Sequence, residues 1–278
     1  MLLAVSNCTC HDDVQEFVWK GEDAKPGEVP WQVAFVFKNK TGLDKLRGGG
    51  IIIDEKWILT AAHLFRDYDR ENDLVYVIGK GELEVLTGTN DLLDDKKRIG
   101  IESIIIPADY RSCGAFNDIA LVKLSERLVL GVRGQRYIYA PNGAQYHRYT
   151  QQGTELKVSG WGHDEHSDIQ RKLQIGSVPV ADHGECREAN FRMDNIVTGD
   201  MLCAGYQLSG GTDTCSGDSG GPLYALDEEG HPILIGITSW GEGCSSSGLY
   251  GIYTNVYHYI DWVNENCRDC LKYTAPDI

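Results

Sequence analysis

Three separated stretches of the chain carry residue types that can act together on a covalent bond. They are Leu59-Thr60-Ala61-Ala62-His63, Asn117-Asp118-Ile119-Ala120-Leu121 and Cys215-Ser216-Gly217-Asp218-Ser219-Gly220-Gly221-Pro222. A serine hydroxyl is a poor nucleophile at neutral pH, but a neutral imidazole within hydrogen-bond reach can take its proton during attack. A buried carboxylate can fix the imidazole tautomer and stabilise the imidazolium that forms. Taken singly, each stretch has an ordinary reading: a histidine after a strand, an aspartate at a turn, a flexible glycine-rich loop. Other titratable groups are weaker prospects. His163-Asp164-Glu165-His166 reads as a solvated loop, because no Cys or second His pair completes a metal site. Glu228, Glu229 and His231 read as hairpin surface. No metal and no cofactor is expected.

The elements that must position these residues are strands. Short runs rich in Val, Ile and Tyr occur at Val33–Phe37, Gly50–Ile53, Trp57–Thr60, Leu74–Ile78, Ile101–Ile106, Ile119–Leu124, Leu156–Ser159, Ile233–Ser239 and Gly251–Asn255. Gly, Asp, Asn and Pro separate them, a pattern that predicts an all-β barrel or sandwich. The stretch from about Ser125 to Gly153 lacks a clear strand and is expected to link two halves. Near the end, Val256, Tyr259, Ile260 and Val263 fall on one face of a predicted helix.

Composition narrows the function classes. A chain of 278 residues, 42% hydrophobic, is long enough for one large domain or two halves sharing an interface. Its net charge of -15 argues against a nucleic-acid partner, which needs a basic face. No apolar run approaches ~18 residues, so no membrane span is expected. Nine cysteines point to an oxidising compartment, and the odd number means that at least one thiol is left over or pairs outside the chain.

Taken together, in the order His, Asp, Ser, the three stretches resemble the chymotrypsin-like (trypsin-like) serine peptidase family. Ser-Gly-Trp-Gly at 159–162 and Ser-Trp-Gly at 239–241 match further landmarks, and the resemblance covers about residues 18 to 266. The fold it implies is all-β: two six-stranded antiparallel Greek-key barrels, about 30–128 and 150–255, followed by a C-terminal helix at about 256–266. Residues 1–17 would be a propeptide remnant or linker, 18–268 the peptidase domain, and 269–278 a tail. By the same resemblance Ser219 is the nucleophile, His63 the general base and then acid, and Asp118 the orienting carboxylate. The N–H groups of Gly217 and Ser219 would form the oxyanion hole. Asp213 would lie at the base of the primary pocket, with Gly241 and Gly251 at its two wall positions and Ser239 and Trp240 also binding substrate, which implies cleavage after Arg or Lys. Cys186–Cys203 and Cys215–Cys244 match two of the family's disulfides. The bridge beside the catalytic His is missing, since its positions hold Gly48 and Leu64, a feature similar to the early complement proteases and their lectin-associated relatives. Lys80 stands where a calcium ligand would be needed. Cys8, Cys10, Cys113, Cys267 and Cys270 are left without assigned partners. The implied partners are a protein substrate with exposed Arg or Lys, protease inhibitors, and an upstream segment held by a disulfide. The implied location is secreted.

The activation segment departs from the pattern. In the family a freed α-ammonium pairs with the Asp beside the catalytic Ser, here Asp218, and the matching terminal residue is Val18. Phe17 precedes it where a basic residue is usual. Cutting after Lys20 would leave Gly21 three residues short, about 10 Å of extended chain. Two routes are expected: cleavage after Phe17, or an internal cation, for which Arg171 and Lys172 are placed by the resemblance. The altered segment also keeps open a protease-like domain locked in zymogen form and used as a binding module.

Overall fold

The β-branched run Ile51-Ile52-Ile53 is fully buried, and each such side chain contributes about 1.5–3 kcal/mol relative to exposure. It lies in the longest strand of the first half, and the remaining strands assemble around it. The computed structural model describes residues 21–69, 74–94, 97–111, 115–131, 135–163, 169–191, 196–206, 217–241 and 249–273. In chain order the first half contains β1 (Glu22–Asp23), β2 (Gln32–Phe37), β3 (Leu46–Asp54), β4 (Trp57–Thr60), β5 (Arg66–Asp69), β6 (Leu74–Val77), β7 (Leu83–Thr87), β8 (Arg98–Ile105) and β9 (Ala120–Leu124). Strands β2-β3-β4-β9-β8-β7 close an antiparallel barrel, and β5 and β6 form a separate ribbon.

The second half contains α1 (Gly143–Tyr149), β10 (Glu155–Gly160), β11 (Gln174–Pro179), α2 (His183–Phe191), β12 (Met201–Ala204), β13 (Pro222–Leu226), β14 (Pro232–Trp240), β15 (Gly251–Asn255) and α3 (Val256–Cys267). Its sheet has seven strands in the order β1-β11-β10-β13-β14-β15-β12, not six. The extra member is β1, a two-residue strand from the chain start that pairs with β11. The other six curl until their ends meet. Val180 bridges Ala204, Ala181 N donates to Cys203 O at 2.9 Å, and Gly205 N donates to Pro179 O at 2.9 Å. The molecule is thus mostly β, in two large sheets and the small β5–β6 ribbon, as the strand pattern predicted.

The stretch 125–153 is more than a linker. Asn142 caps α1, accepting from Gln145 N while its own N–H donates to Gln145 Oε1, a reciprocal capping box. Before it, Ile138 N donates to Ile52 O, Tyr139 N to Pro232 O and Ala140 N to Lys272 O. The segment therefore stitches both halves and the chain end together. In α3 the four residues expected on one face, Val256, Tyr259, Ile260 and Val263, are all buried. Cys267, the last residue of α3, forms a disulfide with Cys270, and Cys186–Cys203 is also closed. No described helix is long and apolar enough to cross a membrane.

The joint between the halves is polar and specific. Gly49 N donates to Ser219 O at 2.8 Å, Ser159 Oγ to Gln32 Oε1 at 2.9 Å, and Trp161 Nε1 to Asn90 O at 3.2 Å. Buried polar groups must be paired across such a joint or their desolvation is uncompensated. This pairing fixes one half against the other, with Ser219 at the seam.

Candidate active site

His63 is presented by a short turn whose neighbours are small or buried. β4 ends at Thr60, whose Oγ1 donates to Gly49 O at 2.8 Å. Ala61 stays extended, and residues Ala62–Phe65 form a single 3-10 turn. Ala61, Ala62, Leu64 and Phe65 are buried, so they anchor the turn in the barrel while the His63 ring stays partly exposed. At the missing bridge, Leu64 fills the space over Gly48. A Cβ added to Gly48 would lie 2.7 Å from both Leu64 Cδ2 and the backbone Ser219 O, and the fixed carbonyl makes the glycine necessary.

Asp118 follows a backbone bend at Asn117, which has φ 56°, a left-handed conformation that Asn tolerates better than most residues. The Tyr259 hydroxyl of α3 sits 2.8 Å from Asn117 Oδ1 and from Asp200 Oδ2 and so pins this bend. Asp118 itself is 1% exposed. Its Oδ1 accepts from His63 N at 2.9 Å, and its Oδ2 lies 2.8 Å from His63 Nδ1 and accepts from Ser239 Oγ at 2.6 Å. Thr254 Oγ1 donates to its carbonyl at 2.6 Å. Burial pushes the Asp118 carboxyl up, but the charge and hydrogen bonds of His63, with the Ser239 hydroxyl, outweigh it and leave the group below its ordinary value. A group buried this deeply and kept ionised can hold an imidazole in one orientation.

Ser219 enters from the other half. Gly217 and Gly220 have φ of 96° and 79°, values that other residues adopt only with strain. Gly220 also has no room: a Cβ there would lie 2.1 Å from Thr60 Oγ1. Gly220 N donates to Thr238 O and Gly221 N to Asp218 O, both at 2.8 Å. Among the described residues, the N–H groups of Gly217 and Ser219 meet no backbone carbonyl. His63, Leu64, Leu46, Arg47, His163, Ile169, Gly217 and Ser219 line one cleft of about 250 Å3.

Asp218 is fully buried, and its Oδ1 accepts from Gly162 N at 2.9 Å. The strand end Gly160-Trp161-Gly162 wraps its carboxylate so closely that a Cβ on Gly160 would fall 1.8 Å from Oδ1. Gly160→Ala is expected to force that carboxylate out of its seat and to cost about 1–3 kcal/mol of stability, as overpacking typically does. Thermal unfolding checks this, and an unchanged melting temperature would show that the seat is slack. Arg171 and Lys172, the internal cations expected near Asp218, are engaged elsewhere. Arg171 Nη2 and Lys172 Nζ lie 2.8 and 2.9 Å from Asp91 Oδ2. The reason is backbone pairing: Asp91 bridges Lys172, and Leu92 N donates to Arg171 O, which sets the carboxylate between the two cations. Both guanidinium and ammonium hold Asp91 well below the usual carboxylate range, with Arg171 the larger influence.

Of the substrate-wall residues, Gly241 and Gly251 face each other, since a Cβ on Gly241 would lie 3.8 Å from Gly251 Cα. Trp240 pairs with Ile252 across β14 and β15. The Ser239 hydroxyl donates to Asp118 Oδ2. Val18, Asp213 and the pair Cys215–Cys244 lie outside the described residues. His163 lines the cleft, and residues 164–168 of the expected solvated loop lie outside the described residues. Lys80 Nζ donates to Glu102 O at 2.6 Å. On the hairpin, ligand atoms of Asp227, Glu229 and His231 come within 4.8 Å of one another, but Asp227 Oδ1 already accepts from the N–H groups of Glu229 and His231. The supporting contacts of Ser239, Thr254, Tyr259 and Arg47 were not anticipated from the sequence, where nothing in the local spacing signals them.

The family model described as Trypsin matches residues 18–263. The chain is 36% identical over 261 residues to coagulation factor XI of Bos taurus, covering 93% of this chain and 39% of that protein. It is 32% identical over 272 residues to vitamin K-dependent protein C of Oryctolagus cuniculus, covering 96% of this chain and 55% of that protein. The chain thus spans well under two thirds of either relative.

Proposed function

We propose that this chain, which belongs to the trypsin family of serine proteases, is an endopeptidase that hydrolyses peptide bonds after Arg or Lys through an acyl-enzyme. Ser219 is the nucleophile, His63 the base that takes its proton and returns it to the leaving amine, and Asp118 the carboxylate that orients the ring. The N–H groups of Gly217 and Ser219 receive the oxyanion. The observation that carries this reading is the buried Asp118 carboxylate, which accepts from both the ring and the backbone of His63 while His63 and Ser219 line one cleft. In that arrangement Nδ1 keeps its proton on Asp118 and Nε2 is left as the base. Arg or Lys selectivity rests on the family resemblance, which puts Asp213 at the pocket floor opposite the wall glycines Gly241 and Gly251, where a carboxylate would suit a long cation. The proposed setting is extracellular, in keeping with the disulfides, and the proposed partners are proteins with exposed Arg or Lys and protease inhibitors.

Activation is the sharpest test. β1 holds Glu22 and Asp23 in register with Ile175 and Gln174, so a terminus made at Gly21 stays at the sheet edge. Cleavage after Phe17, which frees Val18, leaves three more residues to reach Asp218. The purified chain is incubated with trypsin or with chymotrypsin, the activator is quenched, and hydrolysis of Arg, Lys, Phe and Ala amides is measured with N-terminal sequencing and phosphonate labelling of Ser219. The expected result is Arg and Lys amide hydrolysis and Ser219 labelling in a chain beginning at Val18 or left uncut, with no gain from cleavage at Lys20. A preference for Phe or Ala amides, or a large trypsin-dependent gain with Gly21 as terminus, contradicts the proposal. A chain that never labels and never hydrolyses would point to a binding module instead.

A further inference from the structure

Arg47 stands at the head of the glycine run 48–50 on β3, and its guanidinium reaches across to the His63 turn. Nε donates to Leu64 O at 2.9 Å, and Nη2 donates to His63 O at 3.0 Å and to Arg66 O at 3.2 Å. The His63 carbonyl accepts the N–H of Arg66 that closes the turn, and its second lone pair is taken by the Arg47 guanidinium. A planar, permanently charged fork is suited to holding several acceptors at once, which an ammonium on a flexible stem is not. The His63 backbone is therefore gripped from both sides: its N–H by Asp118 Oδ1, its carbonyl by Arg47. No covalent tie joins β3 to this turn at Gly48 and Leu64, where Leu64 simply packs over the glycine.

We propose that Arg47 is a positioning residue for the general base, fixing the His63 turn against β3 by charge-assisted hydrogen bonds in place of a covalent link. This rests on the reading of His63 as that base. Arg47 also lines the cleft, yet the proposal needs no contact between it and the substrate. Its effect should fall on proton transfer and leave substrate affinity alone. The pocket floor and walls lie on another part of the chain, and a misplacement of about 1 Å in a catalytic group can cost about 100-fold in rate.

The experiment compares the full chain with R47A, R47M and R47K in the form that hydrolyses an Arg amide. R47M keeps the packed stem and removes only the donors, which guards against a variant that fails to fold. Rates are expressed per active site titrated with the phosphonate, and the low-field proton resonance shared by His63 Nδ1 and Asp118 Oδ2 is followed by NMR. The expected result is a fall of about 100-fold in kcat for R47A and R47M with KM changed less than about twofold, and partial recovery in R47K. The resonance should shift or broaden in R47A and R47M. A residue with a merely structural role would lower the melting temperature and the titratable fraction while leaving kcat per site and the resonance unchanged, and that outcome overturns the proposal. A wild-type chain that shows the resonance but cleaves no amide overturns the reading of activity instead. The response of the resonance to R47M then decides the role of Arg47 on its own.

Discussion

Ser219→Ala is expected to lower kcat for an Arg amide by about 10^6-fold while the fold and substrate affinity survive. The size follows from a triad acting as a unit, in which losing the nucleophile costs nearly as much as losing all members. What remains is the effect of binding and of the oxyanion donors, about 1000-fold over water. The fold should survive because the contacts that seat this loop belong to backbone. Gly49 N donates to Ser219 O, Gly220 N to Thr238 O and Gly221 N to Asp218 O, and none of them uses the Ser219 hydroxyl. The measurement is kcat and KM on protein freed of contaminating protease, with phosphonate labelling as control. Residual activity above about 1% in unlabelled Ser219→Ala protein would remove Ser219 from the role assigned to it.

Legibility in the sequence followed the range of the forces involved. β4 and β15 begin and end where their Val, Ile and Tyr content predicts, because both are buried on nearly every residue. β11 and β13 were not foreseen. Gln174-Ile175-Gly176-Ser177-Val178-Pro179 is too poor in strand formers to stand out, and it becomes a strand because β10 pairs with it along its whole length. β13 follows a glycine-rich loop and is fixed between β10 and β14. β1 is a strand only through β11. The same division holds at the site. The three reactive stretches are local words and could be read directly. Ser239 and Thr254, which complete the setting of Asp118, lie 121 and 136 residues from it, and no spacing rule connects them. Arg171 and Lys172 show the converse error: their positions suggested a partner at Asp218, but backbone pairing delivers Asp91 first.

The second large effect is expected from Asp118→Asn: a fall in kcat of about 10^4-fold, the size established for the same exchange in this triad elsewhere in the family. Shape is nearly conserved, so the loss is chemical. In the wild type, Oδ1 accepts from His63 N, and Oδ2 faces His63 Nδ1 and accepts from Ser239 Oγ, so both oxygens serve as acceptors. An amide offers one oxygen and two N–H donors. If its oxygen takes the His63 backbone N–H, its NH2 faces Nδ1, and the ring must carry its proton on Nε2. That nitrogen can then no longer accept the proton of Ser219. The NH2 group also replaces an oxygen beside the Ser239 hydroxyl in a site that is 1% exposed, where mismatched polar groups are expensive. The pH dependence has a defined sign. The Asp118 carboxyl is held below its ordinary value of 3.8, so its contribution to stability is present above that value and is lost as pH falls through the lower, folded-state value. The gap in melting temperature between wild type and Asp118→Asn should therefore be constant near neutral pH and shrink as the solution is acidified below 3.8. Melting curves across that range, with kcat measured at neutral pH, check both parts. A variant within about tenfold of wild-type kcat would show that Asp118 does not set the His63 tautomer.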